Sequence, residues 1–192
     1  DMGTLYLAGR RPGAGATAIA VALATLWRRE GKRVVVIKPA ALVANGDAAF
    51  FSRAFGFPGE APSEAPLLIP AHADKDALAT LIEQAADRVQ AVADAADVVI
   101  VEGLPYADAA GEPLAASPAL AERLGARVVG VAPYDRSLNT THARNWRNAY
   151  ASSLAGVVIN RRTRYGEHEA RTRTAPAFED EGVPVFGVLP ED

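Results

Sequence analysis

The residues Gly9-Arg10-Arg11-Pro12-Gly13-Ala14-Gly15-Ala16-Thr17 set three glycines, two arginines and a hydroxyl between an apolar run and a helical pattern. This layout suits phosphate. A strand, a glycine-bearing loop and a helix N-terminus together turn backbone N–H groups and a positive dipole end toward an anion. In the common form of such a loop the last residues are Gly-Lys-Ser/Thr, with the lysine on the β- and γ-phosphates and the hydroxyl on magnesium. Here Gly15 and Thr17 hold those positions, and Ala16 stands where the lysine would be. Losing one preorganised charge at a transferring phosphoryl group costs about 3 kcal/mol of transition-state stabilisation, so binding outlasts turnover.

Two other readings of the loop stay open. Gly13-Ala14-Gly15-Ala16-Thr17-Ala18 also fits the G-x-G-x-x-A fingerprint of dinucleotide-binding domains. That fingerprint begins almost at the strand end, whereas Gly13 lies several residues past Leu7, and the second apolar run ends in Lys38-Pro39 with no acidic residue. The plainer alternative is a glycine turn that packs a helix against a strand and binds nothing. Substitutes for the missing lysine are few, because lysine occurs only at positions 32, 38 and 75. Lys38, at the end of the second run, is the candidate catalytic cation. Arg10 and Arg11 lie in the loop itself, and a guanidinium grips phosphate bidentately.

Asp47 and Glu102, with the Thr17 hydroxyl, form a set of hard oxygen donors of the kind magnesium takes alongside water and phosphate. Asp47 in Asn45-Gly46-Asp47 suits a helix N-cap equally well, and Glu102 could be a solvated strand-end carboxylate. Asn160, before Arg161-Arg162, suits either a base contact or a turn. His72, His142 and His168 have no metal-ligand spacing, and no Gly-x-Ser-x-Gly elbow is present. Cysteine is absent, which excludes disulfides, thiolate nucleophiles and cysteine-bound metals.

These side chains need a frame that brings them together. Apolar runs of strand length occur at Leu5 to Ala8, Val34 to Ile37, Val98 to Val101, Val128 to Ala132, Gly156 to Ile159 and Val183 to Val188. Continuous Val- and Ile-rich runs mark strands buried on both faces of a parallel sheet. Helical periodicity fills the gaps at Thr17 to Glu30, Asp76 to Ala96, Ser137 to Ala151 and Glu167 to Glu181. The alternation predicts an α/β fold, a doubly wound, mostly parallel sheet with helices on both faces. Phe57 to Pro70, rich in proline, reads as an irregular surface excursion. In such a sheet ligands sit beyond the carboxyl ends of strands, where Gly9, Lys38, Glu102 and Asn160 all fall.

At 192 residues the chain suits a single domain over positions 2–192. With 49% hydrophobic and 22% charged residues and a net charge of −3, nothing electrostatic calls for nucleic acid. No basic n-region opens the chain and no run approaches a membrane span, which predicts a cytoplasmic protein without a membrane partner.

Taken in order, these motifs give the chain a wider likeness. Gly9, five residues, Gly15 and then Thr17 resembles the long phosphate loop of dethiobiotin synthetase and related ATP-dependent ligases. Lys38-Pro39, Asn45-Gly46-Asp47, Val99-Ile100-Val101-Glu102-Gly103, the Leu154 to Asn160 strand and Gly187-Val188-Leu189-Pro190 follow in that family's order. The resemblance implies an ATP- and Mg2+-binding P-loop domain. The Gly9 to Thr17 loop, including Gly13 and Ala14, would hold phosphate, Thr17, Asp47 and Glu102 would hold the metal, and Asn160 and Pro190 would lie near the base. It also implies a homodimer. Beyond Ala16 in the loop, two departures on the substrate side, the apolar Ala40-Ala41-Leu42-Val43 after Lys38-Pro39 and Leu104-Pro105-Tyr106 after Glu102-Gly103, move the likeness away from dethiobiotin synthesis. The nearer likeness is to the N-terminal domain of phosphotransacetylase-related proteins, which implies a further C-terminal domain. The expected function is nucleotide binding with weak or absent phosphoryl transfer to a carboxylate or carbamate; the alternative is a degenerate module that regulates or dimerises.

Overall fold

The computed structural model describes residues 3–44, 46–55, 65–71 and 73–191. Asn45, residues 57–64 of the proline-rich excursion and His72 lie outside them. Six strands form one sheet, namely β1 (Gly3–Gly9), β2 (Val34–Ile37), β5 (Val98–Glu102), β6 (Arg127–Pro133), β7 (Leu154–Arg162) and β8 (Val185–Pro190). Their spatial order is β2-β5-β1-β6-β7-β8, and every adjacent pair is parallel. The first crossover leaves β1 toward β2 on one side, and β6 packs on the other, so the strand order reverses at β1. Loops that follow strands at such a reversal diverge and leave a crevice at the carboxyl ends.

The sheet is buried on both faces, as the unbroken apolar runs require. Leu7, Val34, Val36 and Ile100 face α1 (Ala16–Arg29) and α2 (Asp47–Phe55), where Ile19, Ala20, Ala24, Phe51 and Phe55 close one core layer. Tyr6, Val35, Val99 and Val101 point the other way, into a layer with Ile82, Val89, Leu120 and Trp146. That layer comes from α3 (Lys75–Ala93), α4 (Ala116–Arg123) and α5 (Thr140–Tyr150). Neighbouring residues of one strand thus serve opposite layers. Local chemistry fixes the helix ends. The Asp74 carboxylate accepts from the N–H groups of Asp76 and Ala77, and the Asn139 side chain accepts from Thr141 N–H. Gly31, at φ 85°, closes α1 by donating to the Arg28 carbonyl.

Several expectations shift in detail. The last helical segment is three pieces, Glu167–Glu169, a π turn over Ala170–Thr174, and Ala175–Glu179, with Pro176 at the start of the third. The final strand begins at Val185. Helix α4 was not legible, being short and following a turn-rich stretch. Within the excursion, Leu67–Leu68 forms a strand, β4, that pairs in parallel with β3 (Ala40–Ala41). This two-stranded ribbon lies outside the main sheet.

Glycine at 103, just past β5, is a packing requirement. A Cβ there would collide with the ring of Tyr6, which is fully buried and held by two polar partners. Its hydroxyl accepts from Leu104 N–H at 2.9 Å and meets Ser117 Oγ at 3.2 Å. Ser117 Oγ donates to the Leu104 carbonyl at 2.7 Å and lies 2.8 Å from the Tyr150 hydroxyl. Burial pushes the Tyr6 phenol up to about 12, so it remains a donor throughout the neutral range. Gly103→Ala should lower the free energy of unfolding by about 2 kcal/mol, as overpacking of a fixed core does; urea denaturation measures it, and an unchanged midpoint refutes the packing role.

Candidate functional site

The phosphate-type loop begins where β1 ends. Arg10 N–H donates to the Val131 carbonyl at 2.8 Å, tying the loop's first turn to β6. Gly13 and Gly15 take φ of 77° and 96°, a region costly for any residue with a Cβ. Gly15 is also the N-cap of α1, so the first N–H groups of that helix, unpaired within the helix, face outward from the loop. A Cβ on Gly15 would collide with the side-chain amide of Asn160.

The loop walls one side of a cavity of about 820 Å³. Arg11, Gly13 to Thr17, Lys38, Asp47 and Glu102 line its polar side, and Ala40 to Val43, Leu104 and Pro105 line an apolar side. The carboxyl ends of β1, β2 and β5 deliver Gly9, Lys38 and Glu102 to one place because β5 lies between β2 and β1 in the sheet.

At the centre is an ion triad. Lys38 Nζ donates to Glu102 Oε1 at 2.6 Å and to Asp47 Oδ2 at 2.7 Å. Lys38 and Glu102 are 8% and 6% exposed, so both charges sit in a poorly solvated region and neither is tolerable there without the other. Burial works against the Lys38 ammonium, yet the carboxylates of Glu102 and Asp47 outweigh it and hold its pKa above the ordinary lysine value. Burial likewise raises the Glu102 carboxyl, against the opposing pull of Lys38 and the Thr17 hydroxyl. Burial thus leaves the Glu102 carboxyl easier to protonate than an ordinary glutamate. Its second oxygen, Oε2, is buried and has no hydrogen-bond partner among the described residues.

These donors fit a magnesium ion in kind. A hydroxyl, two carboxylates and one unpartnered buried carboxylate oxygen are hard ligands that leave room for water and phosphate oxygens. Among the described residues no three His, Cys, Asp or Glu side chains gather as a metal cluster, so the protein alone would supply only part of a coordination shell.

Other candidates lie elsewhere. Arg10 turns away from the cavity; its guanidinium is 3.5 Å from Asp135 Oδ2 and 3.0 Å from His142 Nε2. Burial and the neighbouring arginine lower the His142 pKa. The neutral ring can then accept from Arg10 at Nε2 and donate from Nδ1 to Asn139, 3.1 Å away. Arg11 does line the cavity. Asn160 is buried and donates its side-chain N–H to the Ala14 carbonyl at 3.0 Å, bracing the loop from β7. Pro190, at the end of β8, pairs across to Arg162 and is not part of the cavity wall.

Sequence reasoning missed Asp108, which reaches the cavity from the turn after β5 and accepts from Ala110 and Glu112 N–H. It also missed the Tyr6-Ser117-Tyr150 network that holds Leu104, whose members are separated by 111 and 33 positions. No local pattern marks such contacts.

The triad makes a prediction with a definite pH sign. Lys38→Met leaves Glu102 buried without its partner and should cost about 3 kcal/mol of stability near neutral pH. Lys38 holds the Glu102 pKa down against burial, so removing it raises that pKa further, and the folded variant takes up the proton at a higher pH than the folded wild type. The deficit of the variant relative to the wild type should therefore shrink as pH falls from about 8 toward about 5. Urea midpoints across that range check it; a deficit independent of pH means that Glu102 is not the strained group.

A family model described as an AAA domain matches residues 3–192. The solved signal recognition particle 54 kDa protein of Aeropyrum pernix K1, in complex with GDP, superposes with a TM-score of 0.63 at 16% identity over 99% of this chain. The match spans only 42% of that longer protein. MinD in the MinC:MinD cell division complex of Aquifex aeolicus gives a TM-score of 0.59 at 15% identity, covering 99% of this chain and 82% of that one. A ParA family ATPase from Chlorobium tepidum gives 0.56 at 16% identity, with 100% and 86% covered. At these identities the likeness is one of fold, the parallel-sheet P-loop architecture. No curated protein matches the chain.

Proposed function

The chain belongs to the AAA-domain family, whose model spans residues 3–192, and from that premise we propose that it binds ATP or a close relative with magnesium at the loop of residues 9–17. The observation that carries this reading is the convergence of that loop, Thr17, Lys38, Asp47 and Glu102 on one cavity. The loop amides and the dipole of α1 would receive the phosphates. Thr17, Asp47 and Glu102 would hold the metal, which when bound neutralises phosphate charge and orients the chain of phosphates.

The dethiobiotin synthetase-like chemistry, attack of a carboxylate or carbamate on the γ-phosphate, would fall to Lys38 for charge stabilisation. Two features argue that turnover is weak or absent. Ala16 offers no cation to the phosphates, and Lys38 is already engaged by two carboxylates. The wall formed by Ala40 to Val43, Leu104 and Pro105 offers an acceptor molecule more apolar surface than hydrogen bonds. The same two features favour, as a second reading, a module that binds nucleotide to regulate or dimerise and transfers nothing. A homodimer and a following domain, both implied by the family resemblance, complete the proposal.

Titration calorimetry with a non-hydrolysable ATP analogue, with and without magnesium, tests it. Micromolar, magnesium-dependent binding is expected in the wild type, and Ala16→Lys should bind about tenfold more tightly, the worth of one charge-assisted contact. Binding by neither protein would sink the nucleotide site altogether.

A further inference from the structure

The end of β7 carries a feature that none of the roles above uses. Arg161 has φ 55°, a left-handed conformation that a residue with a Cβ keeps only where its surroundings enforce it, and such residues gather at functional sites. The enforcement is visible in the strand pairing. Ile159 stands opposite Val188 and Arg162 opposite Pro190, so Asn160 and Arg161 together face a single residue of β8. This is a bulge, a device that re-aims side chains beside active sites.

Its result is specific. The Asn160 amide turns onto the Ala14 carbonyl at 3.0 Å, and Arg161 Nε falls 3.8 Å from the point where a Cβ on Gly15 would sit. The guanidinium therefore lies against the N-cap of α1, beside the position where Ala16 leaves the loop without its cation. It is exposed and makes no hydrogen bond or ion pair among the described residues. Of the other cations near the loop, Lys38 is engaged by Asp47 and Glu102 and Arg10 by Asp135 and His142, while Arg11 lines the cavity.

We propose that Arg161, delivered by the β7 bulge to the Gly15 edge of the loop and outside the cavity wall, is a phosphate-binding cation that makes up for the absent lysine. The assignment rests on the nucleotide reading above. A guanidinium suits the task because its planar fork meets two phosphate oxygens at once and keeps its charge at every accessible pH.

The test is titration calorimetry of the full chain with the ATP analogue, inorganic tripolyphosphate and adenosine, using wild type, Arg161→Gly and Arg161→Lys. Glycine removes the guanidinium yet accepts φ 55° freely, so the thermal midpoint of Arg161→Gly should equal or exceed that of the wild type. Its affinity for the ATP analogue and tripolyphosphate should fall about tenfold or more, with adenosine unaffected, and Arg161→Lys should recover part of the loss. Unchanged affinity in a folded Arg161→Gly would overturn the role of Arg161 while leaving the nucleotide site standing. Binding of neither polyphosphate ligand by the wild type would overturn the nucleotide reading and this role with it. Should Arg161→Gly fail to fold, Arg161→Gln carries the same affinity comparison, with the same outcomes deciding.

Discussion

Placing two opposite charges at the ends of buried strands, with a third from a helix beside them, is the constraint to which the rest of this molecule answers. Lys38 and Glu102 are almost without solvent, and a lone charge there would cost several kcal/mol. The pairing of β2 with β5 sets Ile37 opposite Val101, which brings the next residues, Lys38 and Glu102, side by side. Asp47 arrives from the first turn of α2 and completes the triad. The site is therefore built by the sheet register, and any slip between β2 and β5 would strand a buried charge.

The same economy governs the loop. A phosphate loop must hold several N–H groups in fixed directions without side chains in the way, and that demands left-handed glycines and close backbone approach. Gly15 meets the demand against Asn160, and Gly103 meets a similar one against Tyr6. Both supporting partners are themselves fixed, Asn160 by the Ala14 carbonyl and Tyr6 by Ser117 and Leu104. The two walls of the cavity are braced from behind by buried polar contacts, which in a low-dielectric interior are costly to break.

The arrangement also explains how a loop lacking its lysine can keep its architecture. The lysine of a P-loop contributes charge to a ligand and little to the loop's own folding, whereas the glycines and the strand-end contacts are structural. Removing the charge leaves the cradle intact. Ala16 fits as the first residue of α1 because alanine is the best helix former.

The sequence by itself determined the elements and their kind. Unbroken Val-Ile runs at 34–37 and 98–101 could be stable only as strands covered on both faces, and the glycines at 9, 13 and 15 before a helical pattern marked the loop. It also marked Lys38, Asp47 and Glu102, since their types and strand-end positions are local facts. Only the tertiary structure decided which cations are free. Arg10 and Arg161 look alike in sequence, but one is drawn to Asp135 and His142 and the other is turned by a bulge toward Gly15. Those outcomes depend on contacts between residues more than 100 positions apart, such as Arg10 with His142 and Ala14 with Asn160. Register, bulge and pairing across the sheet are properties of the assembled strands, and no single stretch of chain encodes them.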